Sequence, residues 1–206
     1  MLRRVYAGAL WKVQTKEKKL YLTFDDGPSA EYTGKILDIL KAENVPATFF
    51  VIGLNAERNL DVLKRIYDEG YEIGNHTFTH PNIAEVSTER AALELNATQR
   101  IIECVTGHST VLFRPPYNAD SEPETMEEVL PVALAKQHNY YTVGESIDPC
   151  DWQENISADT ILARTIAEER NGTMILLHDA GGDRTATLEA LPRIIRYFKS
   201  KGYTFT

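Results

Sequence analysis

The stretch Leu20-Tyr21-Leu22-Thr23-Phe24-Asp25-Asp26-Gly27-Pro28 decides how the rest of the chain is read. An apolar, β-prone run ends in two adjacent carboxylates, and Gly27 and Pro28 then break the element. Alone, this is either a hairpin turn or a parallel strand delivering Asp25 and Asp26 to its C-terminal end. The second placement is where open α/β sheets and β/α barrels keep their chemistry. Adjacent like charges are costly without a cation or basic group nearby, so the choice rests on what the remaining chain supplies.

Outward from this stretch, strand and helix patterns alternate. Helical patterns cover residues 33–45, 58–69, 87–104, the run up to 137, 159–169 and 185–199, with Ser87 as a cap and Gly70 and Gly107 as stops. Strand patterns cover 20–25, 47–52, 71–74, 111–113, 140–143, 174–177 and the closing 203–206. Such alternation predicts an α/β fold, a parallel sheet or barrel with helices outside.

The 206 residues, 43% of them hydrophobic, suit one compact domain. The lead-in segment 1–19 closes on the charged run Lys16-Glu17-Lys18-Lys19, read as a solvated loop, and the domain proper is 20–206. The chain stops on a strand pattern, which reads as a domain excised from a longer protein. A net charge of −8 argues against nucleic acid and anionic membrane as partners, and no apolar run approaches the ~20 residues of a membrane span. Residues 1–10 lack the apolar core of a signal peptide. Two cysteines make no disulfide framework. Cys104 should pack as a small apolar residue on its helix, and Cys150 should be a free thiol near the mouth of the site.

Each distinctive cluster follows a predicted strand: Asp25-Asp26, His76 with His80, 114–117, 148–152 and His178-Asp179. In a barrel they would converge on one rim. His76 and His80 stand i, i+4, so one helical turn would bring both imidazoles to one side. With one carboxylate they make a His₂-Asp set that leaves positions open for water and substrate; otherwise they cap a turn or lie on the surface. Arg114 can fork onto a carboxylate or form a surface ion pair. His178 emerges at a rim or fills the core. Asp151 beside Trp152 is a plain turn or a carboxylate that sets the His178 tautomer.

Together, Thr23-Phe24-Asp25-Asp26-Gly27-Pro28, His76-Thr77-Phe78-Thr79-His80, Arg114-Pro115-Pro116-Tyr117, Asp148-Pro149-Cys150-Asp151-Trp152 and Leu176-Leu177-His178-Asp179 resemble the ordered motifs of the polysaccharide deacetylases. That family is the NodB homology domain, carbohydrate esterase family 4. The resemblance implies a distorted (β/α) barrel of about seven parallel strands. It implies Asp25 as general base and Asp26, His76 and His80 as ligands of one divalent metal, zinc first, with cobalt, nickel or manganese as alternatives. Arg114 would orient Asp25, and the Tyr117 backbone N–H would help hold the oxyanion. His178 would be the general acid, oriented by Asp151, with Trp152 and Leu176 lining the pocket.

The implied activity is metal-dependent removal of N-acetyl groups from a glycan containing N-acetylglucosamine, by a monomer acting at the cell envelope or outside it. An O-acetyl esterase on xylan and a non-catalytic glycan-binding module are the competing readings. The chain departs from the family in the longer polar stretch 118–128 and in stopping after the last strand. The cation and Arg114 should hold the Asp25 pKa low, and Asp151 should raise that of His178.

Overall fold

The computed structural model describes residues 9–117 and 126–206, with 126–128 described by backbone alone. The polar stretch therefore lies outside the described residues as far as 125, while Met126 opens a helix.

The stretch read first is the central strand, β2 (Lys19–Asp25), buried at every position but Lys19 and Tyr21, as a parallel strand covered on both faces should be. One edge of β2 pairs with β7 (Thr173–His178), from Leu20 opposite Thr173 to Asp25 opposite His178. The other edge is shared: β3 (Thr48–Val51) takes Thr23 to Asp25, and β8 (Thr204–Phe205) takes Lys19 and Leu20. Beyond β3 come β4 (Glu72–Asn75), β5 (Leu112–Phe113), β6 (Tyr141–Val143) and β1 (Ala9–Leu10), every pairing parallel. The order is β1-β6-β5-β4-β3-β2-β7.

The two flanks of this path are drawn together. Ser146 and Ile147, just past β6, donate to the Met174 carbonyl at 3.0 and 3.1 Å, and Leu176 donates to the Ile147 carbonyl at 2.9 Å. Lys12 bridges Thr173, and the Val13 N–H reaches the Gly172 carbonyl at 2.9 Å. The sheet curls into a half-barrel of seven parallel strands with β8 added at the base of β2, the distorted barrel expected.

The helices α1 (Thr33–Glu43), α2 (Gly53–Arg58), α3 (Leu60–Asp68), α4 (Thr88–Thr106), α5 (Met126–Gln137), α6 (Ala158–Ala167) and α7 (Thr185–Ser200) cover the outside. Ile36, Leu37 and Leu40 of α1 and Leu191, Ile194, Ile195 and Phe198 of α7 are fully buried, the helix-period stripes that pack on the sheet. Burial of each such side chain stabilises by roughly 1.5–3 kcal/mol. Ser87 caps α4 by accepting the Arg90 N–H, and Gly107 closes it at φ 77°.

Two local expectations are corrected. The helix expected over 58–69 is the single helix α3, which starts at Leu60 because Asn59 leaves helical geometry (φ −135°, ψ 52°) and directs its amide to the carbonyls of Pro28 and Asn55; the short α2 ending at Arg58 was not expected. Cys104 is exposed rather than packed, and both cysteines are free thiols.

Candidate active site

The parallel register places the site. Asp25 faces His178 across β2 and β7, Val51 faces Asn75, and Asn75 faces Phe113. The next residues, His76 and Arg114, continue the ladder, with the His76 N–H on the Val51 carbonyl and the Arg114 N–H on the Asn75 carbonyl, both at 3.0 Å. Strands about 4.8 Å apart thus bring residues distant in sequence to one rim. The rim opens on a cleft of about 440 Å³ lined by Asp25, Asp26, His76, His80, Tyr117, Trp152, Leu176 and His178, together with Asp148 and Arg184. Arg114 and Asp151 lie buried outside that lining.

Asp26 adopts φ 77° beyond the end of β2, which separates its side chain from that of Asp25. Its Oδ1 stands 3.6 Å from His76 Nε2 and 3.3 Å from His80 Nε2. Three ligands about 2.0–2.1 Å from a tetrahedral ion lie about 3.3 Å from each other. Asp26 Oδ1 is buried and has no hydrogen-bond partner, a state costly for a carboxylate oxygen unless a cation accompanies it. His76 Nδ1 lies 2.8 Å from the Arg114 carbonyl oxygen; donation there leaves the Nε2 lone pair free, the usual support of a metal-bound imidazole. Burial presses the His76 pKa to about 3, so the ring is neutral and able to ligate. Among the described residues, Asp26, His76 and His80 are the one group of three or more such side chains placed to hold a metal ion, and a divalent cation fits it.

The two histidines do not share a helical turn. Residues 76–80 form a loop, and Thr77 (φ 67°) and His80 (φ 60°) are left-handed. This fold of the loop brings the two rings to a centroid distance of 4.9 Å.

Asp25 is 3% exposed, and its Oδ1 accepts from Arg114 Nη1 at 2.8 Å. The Arg114 guanidinium is fully buried and donates also to Thr23 Oγ1 and the carbonyls of Val143 and Gly144, over the ring of Phe50. Five donors in a fixed fork make arginine suited to this position. Burial raises the Asp25 pKa and outweighs the lowering by Arg114 and His178. The expectation of a depressed Asp25 counted the cation as well as Arg114; beside the guanidinium and without the ion's charge, burial penalises the carboxylate more than Arg114 stabilises it.

Across the cleft, His178 Nδ1 lies 2.6 Å from Asp151 Oδ1, and Asp151 Oδ2 accepts the His178 backbone N–H at 2.9 Å. Burial alone would lower the His178 pKa, but the Asp151 bond and charge reverse this and raise it to about 9. Asp151 is held in turn by Thr187 Oγ1 on its Oδ2 and by Arg184 on its carbonyl. The side chains of Tyr117 and Trp152 are exposed at the cleft, Trp152 Nε1 donating to Asp148 at 3.2 Å, while Leu176 is buried beneath.

Several supporting residues were given no role of their own from sequence. Asp179, the neighbour of His178, is fully buried and accepts the Gly27 N–H at 2.9 Å and the Thr33 hydroxyl. A Cβ on Gly27 would lie 2.0 Å from that carboxylate, so glycine is required at the turn. The strand-end position of Asp179 was a usable signal. Thr187 and Arg184 carry none, since only packing brings α7 to Asp151.

Comparison with known proteins places the chain in a family and bears out the fold. The family model described as polysaccharide deacetylase matches residues 12–143. A peptidoglycan-N-acetylglucosamine deacetylase of Bacillus cereus is 41% identical over 185 residues, 89% of this chain and 64% of that protein, so the chain spans just under two thirds of that relative. The crystal structure of the Bc1960 peptidoglycan N-acetylglucosamine deacetylase, in complex with 4-naphthalen-1-yl-N-oxidanyl-benzamide, superposes with a TM-score of 0.90 at 36% identity, covering 100% of this chain and 92% of that one. BA3943 of Bacillus anthracis, described as a pseudoenzyme of carbohydrate esterase family 4, superposes with a TM-score of 0.83 at 31% identity, covering 96% of this chain and 66% of that one. With the family model spanning most of the chain and the ordered clusters gathered on one barrel rim, the chain belongs to the polysaccharide deacetylase family, the NodB homology domains of carbohydrate esterase family 4.

Proposed function

We propose that the chain hydrolyses the N-acetyl group of N-acetylglucosamine units in a cell-wall glycan, with peptidoglycan as the substrate class the relatives favour. The observation that carries this reading is the pairing of Asp25 with His178 on adjacent strands, both lining one cleft with Asp26, His76 and His80. A base, an acid and a candidate cation set thus share one rim, the groups that metal-assisted amide hydrolysis uses.

An amide is a weak electrophile with a poor leaving group. A divalent ion, zinc by its preference for two imidazoles and a carboxylate, would be held by Asp26, His76 and His80, and would supply carbonyl polarisation and a more acidic water. Asp25, made more basic by burial and held by Arg114, takes the proton of the attacking water. The Tyr117 backbone N–H serves the developing oxyanion, a role worth about 3–4 kcal/mol per donor. His178, protonated through Asp151, gives its proton to the departing amine, a step worth ~10²–10⁴ in rate. Trp152 and Leu176 form the apolar wall against the acetyl group and sugar. A cell-wall glycan as substrate places this activity at the cell envelope or outside it. Among the described residues no helix is long and apolar enough to cross a membrane.

Acetate release decides the matter, measured on chitooligosaccharide, peptidoglycan and acetylated xylan with and without zinc. Zinc-dependent release from the first two and none from xylan is expected. Release from xylan alone would establish the O-acetyl esterase, and binding of glycan without any release would leave a module like the pseudoenzyme relative.

A further inference from the structure

The loop 76–80 carries both proposed histidine ligands, yet Thr77 and His80 take left-handed backbone angles. A non-glycine residue there costs roughly 1–3 kcal/mol and persists only where the surroundings enforce it. The enforcement comes from α4. The Glu94 carboxylate is buried, with 2% of its side chain exposed, and four donors are arranged on its two oxygens. Its Oε2 accepts the backbone N–H groups of Phe78 at 2.8 Å and Thr79 at 2.7 Å. Its Oε1 accepts the Thr79 hydroxyl and Arg90 Nε–H, both at 2.8 Å. From the other side, Asn75 Oδ1 accepts the Thr77 N–H at 2.9 Å, and Thr77 Oγ1 accepts the His80 N–H at 3.1 Å.

Glu94 lies outside the group of Asp26, His76 and His80, and its oxygens are committed to the loop, so it is not a fourth ligand. Resting on the metal reading above, we propose that Glu94 is a positioning residue for the metal centre. It holds the 76–80 loop in the geometry that sets His80 against Asp26 before any ion arrives. A neutral or shorter side chain cannot accept from both backbone N–H groups, Thr79 and Arg90 at once, so the loop relaxes and the ion must order it.

Partners of this kind are typically worth 10–100-fold in metal affinity. The test is calorimetric titration of zinc into the chelator-treated full chain, with folding checked by circular dichroism. Glu94→Gln keeps the volume and one acceptor, and should weaken zinc about 10-fold. Glu94→Ala should weaken it nearer 100-fold. Phe198→Leu, a core change on α7, lowers stability and should leave zinc affinity unchanged. If folded Glu94→Gln binds zinc as tightly as wild type, or Phe198→Leu weakens binding equally, Glu94 does not position the loop. His80→Ala separates the two readings. Its loss of binding beside an unaffected Glu94→Gln overturns the positioning role alone, and its retention of wild-type affinity overturns the metal site itself.

Discussion

Asp25 and Asp26 are neighbours in the chain but occupy different electrostatic settings. Asp25 continues β2 inward onto the Arg114 guanidinium, whereas the left-handed turn at Asp26 presents a bare Oδ1 to two imidazoles. Asp26→Ala, His76→Ala and His80→Ala should each abolish stoichiometric zinc binding while keeping the far-UV spectrum, because an open three-ligand set is not what holds the fold. Unchanged zinc by mass spectrometry in all three would remove the assignment. His178 and Asp151 make a second residue-scale test. With the His178 pKa at about 9, kcat/KM should hold into mildly alkaline pH and fall as the ring loses its proton. Asp151→Asn removes the charge and leaves burial, which lowers the pKa, so the alkaline limb should move towards or below the ordinary ~6.5. A limb that stays in place would show that Asp151 does not tune the acid.

At the scale of elements, the site depends on where strands end and how tightly turns pack against them. Gly27 is the tightest point: its backbone abuts the Asp179 carboxylate at the top of β7 and donates to it. Gly27→Ala would push β2 and β7 apart where Asp25 faces His178. It should cost about 1–3 kcal/mol, read as a lower urea midpoint, with activity falling beyond what the stability loss explains. Wild-type stability in this variant would show that the turn can yield. Much at this scale was legible in the sequence. Ser87 and Gly107 bound α4 as their residue types predict, and β2 ends at Asp25 as its pattern requires. The break at Asn59 and the left-handed loop 76–80 were not, since both are enforced by groups distant in sequence, Pro28 for the first and Glu94 for the second.

For the molecule as a whole, closing the half-barrel gathers Asp25, Asp26 and Asp179 at one end. Burial, with the charges of Asp26 and Asp25, outweighs the hydrogen bonds from Thr33 and Gly27 and raises the Asp179 pKa to about 7. An acid whose folded pKa lies above its unfolded value contributes stability that is full below the unfolded value, near ~4, and lost as pH rises through the folded one. The chelator-treated wild type should therefore lose stability relative to Asp179→Asn between roughly pH 4 and 7 and hold a constant difference above that. Urea denaturation at intervals over this range measures it, and a difference independent of pH would mean that Asp179 ionises alike in both states.

The alternation of strand and helix from residue 20 on, the strand-end position of each reactive cluster and the resemblance those clusters carry were all determined by the sequence alone, because periodicity and turn chemistry are properties of neighbouring residues. The tertiary structure decided what depends on register and burial. It paired Asp25 with His178, recruited Glu94, Thr187 and Arg184, and joined residues 9–13 to the sheet. It also set burial against charge pairing at Asp25, with burial the larger beside Arg114 alone. The reason is that desolvation depends on the volume a side chain is enclosed in, and a chain met as a sequence carries no measure of that volume.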